Sequence, residues 1–184
     1  GLKGPEAQAE KEKFIEQFES HFEKTLRKRR EFIFAGSMKI AHKPVDLSNW
    51  YANQTVSGFL PEEREFMEEL FGEMGYVDTM RECTKADREY TWWPDYNRAR
   101  ELNEGARLDY QITTQGLRKT IQHCSIYKGQ QFSEHAPLSK ILPTSKTAAR
   151  PEGGSTMYAE NELLFPSHVI PKLKESRGET WAEL

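Results

Sequence analysis

The chain has 184 residues, enough for one domain with a real core and some extension. Its net charge is −3. It therefore lacks the basic surplus of a protein that works by coating phosphate backbones, although a local basic patch stays open. Aromatic residues make up 11% of the chain, which argues for a packed core or an interface rather than disorder. The two cysteines, Cys83 and Cys124, lie far apart with no Cys-x-x-Cys pair and no Cys/His cluster, so a structural zinc site is excluded. No apolar run approaches the roughly 20 residues needed to cross a bilayer.

Taken in chain order, residues 1–10 are small and polar and read as an arm. Residues 11–30 read as an amphipathic helix, with Phe14, Ile15, Phe18, Phe22 and Leu26 on one face. Arg27-Lys28-Arg29-Arg30 closes it, where cations complement the helix dipole. A solvated helix end is the simplest reading of that run, with an acidic partner as the alternative. A strand over 31–35 follows and stops at Gly36, where the backbone can turn at low steric cost. An irregular stretch, 40–60, leads to Pro61, which opens a second helix at the position where proline is best tolerated. Phe66, Met67, Leu70, Phe71 and Met74 supply its buried side, and Gly75 stops it. Glu62, Glu63, Glu65, Glu68 and Glu69 read as its solvated acidic face. Val77 to Met80 reads as a short strand.

Residues 83–105 read as an aromatic-rich loop. From 107 the pattern alternates, with Leu108, Tyr110 and Ile112 on one side and Arg107, Asp109 and Gln111 on the other, as in a half-buried strand. Further strands are placed at 121–127 and 138–142. Residues 143–184, with four prolines and only small apolar islands, read as an extended tail rather than a second domain. The organisation is thus an arm over 1–10, a domain over 11–142 and a tail over 143–184.

Four stretches carry a resemblance: "REFIFAGSMKIAHKPVDLSNW", "SGFLPEEREFMEELFGEMGYVDTMR", "YTWWPDYNRARELNEGARLDYQ" and "FSEHAPL". In this order and spacing, the chain resembles the second half of an exonuclease III-type apurinic/apyrimidinic endonuclease. That family is a branch of the endonuclease/exonuclease/phosphatase superfamily. The resemblance implies an α/β fold, half of a four-layer sandwich of mostly antiparallel sheets flanked by helices. Members cleave a DNA phosphodiester with a divalent metal and an activated water.

Carried over residue by residue, the family's Gly-Asp-x-Asn becomes Gly36-Ser37-Met38-Lys39. Ser37 has no basic oxygen at neutral pH, and Lys39 puts a cation where a neutral amide directs water. The family's Asp-His pair becomes Glu134-His135, and Asp109 matches the Asp that orients the His. Trp92 and Trp93 match the aromatic loop near the abasic site. With Arg98, Arg100 and Arg107 they form the candidate nucleic-acid surface. The family's metal-binding Glu and catalytic Tyr motif have no counterpart here, so no metal and no cofactor is expected on this chain.

On these grounds the sequence predicts a pseudoenzyme, with Ser37, Lys39, Asp109, Glu134 and His135 as a vestigial site. It predicts a structural accessory subunit of a larger, respiratory-type complex in the mitochondrion. Another protein chain would cover the sheet face that half a sandwich leaves open. One half of a split endonuclease completed in trans, or a nucleic-acid-binding module such as a ribosomal accessory protein, are the alternatives.

Overall fold

In the computed structural model the described residues are 4–141. The predicted tail over 143–184 and residues 1–3 lie outside them. The first helix, α1, runs Pro5–Leu26. It starts earlier than the sequence pattern suggests and absorbs most of the predicted arm. Pro5 sits in its first turn, where a missing N–H costs nothing. The strand β1, Ile33–Ser37, falls two residues later than predicted. A second helix, α2, spans Pro61–Phe71. It leads to β2, Val77–Asp78, and directly into a short helix α3, Thr79–Cys83. The sequence reads a strand through Met80. The chain turns helical instead because the Asp78 carboxylate caps the amides of Met80 and Arg81. After a one-turn helix α4, Ala99–Leu102, come β3, Asp109–Thr113, β4, His123–Ile126, and β5, Leu138–Ile141.

These strands form a three-stranded antiparallel sheet ordered β1-β3-β2 and a two-stranded antiparallel sheet of β4 and β5. Alternation along the strands divides the faces of the larger sheet. Phe34, Tyr110 and Ile112 turn toward the helices and join Phe22, Ile40, Phe66, Met67, Leu70 and Tyr76 in the main core. The centre is an aromatic knot. Phe22 meets Phe34 edge-on at 4.7 Å and Tyr76 at 4.9 Å. The Tyr76 hydroxyl also donates to the Phe22 carbonyl at 2.9 Å. Not all of the predicted α1 face is inside: Phe14 and Leu26, near its ends, stay exposed.

The other face of β1 is open. Ile33, Ala35 and Ser37 are exposed there, Ile33 by 46%. Beneath the loops a buried ion network ties 44–46 to β2 and β3. Arg107, 1% exposed, donates to both Asp46 oxygens, at 2.8 and 3.1 Å, and to Asp78 at 2.7 Å. Arg81 pairs with Asp46 from outside. Among the described residues no helix is long and apolar enough to cross a membrane.

Candidate active site

The site begins with strand register. β1 and β3 pair so that Ser37 stands opposite Asp109, and antiparallel partners share a face. Both therefore sit on the open face, at the end of β1. Asp109 is fixed by Thr91, which is fully buried. The Thr91 hydroxyl accepts from the amides of Leu108 and Asp109 at 3.0 and 3.1 Å.

His135 arrives from a different part of the chain. The segment around it lies against 91–93: Trp93 N–H donates to the Glu134 carbonyl at 3.1 Å and Ala136 N–H to Thr91 at 2.7 Å. Residues 91–93 in turn pair with Ala106, with Trp92 and Ala106 exchanging two bonds of 2.9 Å. Only glycine fits at 105 beside this crossing. A Cβ there would sit 2.4 Å from the Trp92 carbonyl and 2.7 Å from the Trp93 ring. The result is an imidazole whose Nδ1 lies 2.8 Å from Asp109 Oδ2.

That bond pulls the His135 pKa above the usual imidazole value. Partial burial opposes the rise, the charges of Asp109 and Glu134 reinforce it, and the nearby Lys39 charge works against it. A raised folded value means that the pair stabilises the fold below the ordinary imidazole range. The contribution is lost as pH rises through the folded value. Glu134 accepts a 3.2 Å bond from the Trp92 indole. A cleft of about 720 Å³ opens beside these groups, lined by Lys39, Trp92, Leu108, Glu134 and His135 among others.

The structure thus brings together Ser37, Lys39, Asp109, Glu134 and His135, as the sequence predicts. The proposed nucleic-acid set is not brought together. Trp92 lines the cleft. Trp93 is 3% exposed, with its indole bonded to Asn103, and Arg107 is sealed in its ion network, so neither can touch a ligand strand. Arg100 stacks over Trp93 at 4.6 Å, and Arg98 is exposed but paired with Glu101.

Two residues that position the site escape the sequence reading. Glu63, assigned above to a solvated acidic face, is 2% exposed and bonds Lys11 at 2.5 Å. Its second oxygen accepts from the amides of Gly58 and Leu60 at 2.7 and 3.0 Å. The signals were present. Lys11 shares the apolar helical face of Ile15, Phe18 and Phe22, and Glu63 holds the N3 position of a capping box.

No family model matches the chain. Curated relatives do. An exodeoxyribonuclease of Bacillus subtilis (strain 168) is 33% identical over 118 residues, covering 64% of this chain and 46% of that protein. The DNA repair nuclease APEX1 of Danio rerio is 33% identical over 115 residues, covering 62% of this chain and 37% of that protein. The chain is a relative of the exonuclease III-type apurinic/apyrimidinic endonucleases. It spans less than half the length of these two relatives. The fold agrees: an AP endonuclease from Archaeoglobus fulgidus superposes with a TM-score of 0.68 at 22% identity, over 77% of this chain and 56% of that one. The α/β architecture of antiparallel sheets and helices is that of the exonuclease III-type fold over the part present.

One expectation is overturned. The relatives of this exonuclease III-like chain are named as nucleases, which points to an enzyme and not to the pseudoenzyme inferred from Ser37 and Lys39. The accessory-subunit role and its mitochondrial complex rested on that inference, and nothing observed supports them. The family's divalent metal does not fit the residues described. Among them no three His, Cys, Asp or Glu side chains converge on one point. The cleft carboxylates Asp109 and Glu134 are already engaged with His135 and Trp92.

Proposed function

We propose that this chain forms the carboxyl-terminal half of a nuclease site acting on the phosphodiester backbone of DNA at an abasic position. The observation that carries the proposal is the 2.8 Å bond between His135 and Asp109 on the wall of an open cleft. Asp109 occupies Nδ1, which leaves Nε2 for the ligand. An imidazole kept charged in this way is suited to stabilise the charge that builds on a phosphate during cleavage. Ser37, opposite Asp109, offers a hydroxyl that can orient a water without deprotonating it. Trp92, fixed edge-on by Glu134, offers an aromatic wall where a base is missing.

The rest of the site comes from a segment that packs on the open face of β1 and β3. Exposed Ile33 and Ala35 give that contact its apolar part. Support for the reading comes from the named nucleases among the relatives and from the share of their length that this chain spans.

The test is strand scission of a duplex carrying one abasic analogue, with Mg²⁺, by the protein in its native form. Incision at the analogue is expected, slowed by about 10²–10³-fold in His135→Ala. An intact strand with the unaltered protein, or equal rates for the two, would refute the proposal.

A further inference from the structure

Lys39 is the one long side chain beside the cleft whose backbone lies in the left-handed region, with φ of 54°. That conformation is costly for a residue with a Cβ and persists only where the surroundings over-determine it. Here they do. Met38 N–H donates to the Leu108 carbonyl at 2.9 Å, and Ala41 N–H to the Gly58 carbonyl at 2.8 Å. The Tyr110 hydroxyl donates to the Ile40 carbonyl at 2.8 Å. The Lys39 carbonyl itself accepts from Lys11 Nζ at 2.9 Å. Gly58 passes so close that a Cβ on it would lie 3.2 Å from that same oxygen.

Lys11 is the unusual member of this clasp. It is a buried lysine on α1, held by Glu63 at 2.5 Å, and its remaining reach is spent on one peptide carbonyl. Burying a charged pair is expensive unless the geometry is tightly specified, and here the geometry specifies the Lys39 peptide. The side chain that follows is exposed, lines the cleft and has no ion-pair partner among the described residues. Its charge is felt at His135. The cleft carboxylates that could neutralise it are already bonded, Asp109 to His135 and Glu134 to Trp92.

We infer that Lys39 is the phosphate-binding cation of this cleft and that Lys11 is the residue that positions it. The inference rests on the nuclease reading and narrows its ligand. Two cations, the Lys39 ammonium and the protonated His135, face one cleft with no free carboxylate between them. Such a site holds a doubly charged phosphate, as on a strand terminus, more tightly than the singly charged diester inside a strand.

The experiment measures affinity by fluorescence anisotropy at low salt for gapped duplexes that differ only in a 3′-phosphate or a 3′-hydroxyl at the gap. The duplex with an internal abasic analogue serves as the third probe. The unaltered protein is expected to prefer the 3′-phosphate by at least about tenfold. Lys39→Gln is expected to bring that ratio to near one. The double variant Lys11→Met/Glu63→Gln removes the buried pair without stranding one charge. It too is expected to lose the ratio although Lys39 is present, while circular dichroism reports a native spectrum. Lys11→Arg is expected to restore most of it. If the duplexes bind but the ratio is near one in the unaltered protein, or survives Lys39→Gln, the inference fails and the nuclease reading stands. If the ratio is lost in Lys39→Gln but kept in the folded double variant, Lys11 has no positioning role. If none of the three duplexes binds, the nuclease reading fails and this inference goes with it.

Discussion

Arg107→Leu separates a structural arginine from a nucleic-acid contact. The guanidinium is 1% exposed and makes two bonds to Asp46 and one to Asp78. Leucine fills much of the volume but leaves Asp46, also 1% exposed, with Arg81 as its remaining cation. Stranding one partner of a buried pair costs about 3–5 kcal/mol. With a urea m-value of about 2 kcal/mol/M, the unfolding midpoint should fall by roughly 2 M. The loss should also depend on pH. Burial pushes the Asp46 carboxyl up, but the bonds and charges of Arg107 and Arg81 outweigh it and hold it below the usual carboxylate range. A lowered folded value means stability that is present above the unfolded pKa and lost as pH falls through the folded one. The gap between variant and parent should therefore be full near neutrality and close on acidification. Urea titrations at several pH values measure both quantities. A gap below about 1 kcal/mol at neutral pH, or one that does not change with pH, would refute the account of this network.

Asp109→Asn removes the largest cause of the raised His135 pKa. The His135 ring should titrate at lower pH by NMR, and the alkaline limit of phosphate binding should move the same way. Ser37→Asp places a carboxylate at the end of β1, opposite Asp109. The strand-scission rate should rise by about 10²-fold if water activation limits it, as gel-based single-turnover assays would read. Phe22→Ala empties the aromatic knot between α1 and the sheet and should cost about 3–5 kcal/mol in a denaturation experiment.

What the sequence made legible was whatever obeys a simple period or sits in a motif. The alternation of Tyr110 and Ile112 places β3 and its buried face correctly. Pro61 and the apolar set behind it place α2. The Asp109–His135 pair follows from the family motif and is present at bonding distance. What stayed hidden depended on contacts between distant segments. Arg107 and Trp93 are types that often face ligands, and only the folded arrangement shows that Asp46, Asp78 and Asn103 claim them. Glu63 looks like its neighbours Glu62 and Glu65 until Lys11, more than fifty residues earlier, is seen to reach it. The left-handed turn at Lys39 has no signal in a residue type that seldom adopts it.

The pairing of β1 with β3 ties the chemistry to the core through one alignment. Ser37 meets Asp109 in the same ladder in which Phe34 meets Ile112. Deleting a single residue between 33 and 36 would shift every later or earlier member of β1 to the opposite side of the sheet. It would turn Phe34 away from Phe22 and Tyr76, or carry Ser37 away from Asp109. Length in this strand is therefore fixed twice over. Variation in the enzyme must come by substitution at positions such as Ser37 and Lys39, and not by insertion or deletion between them and the core.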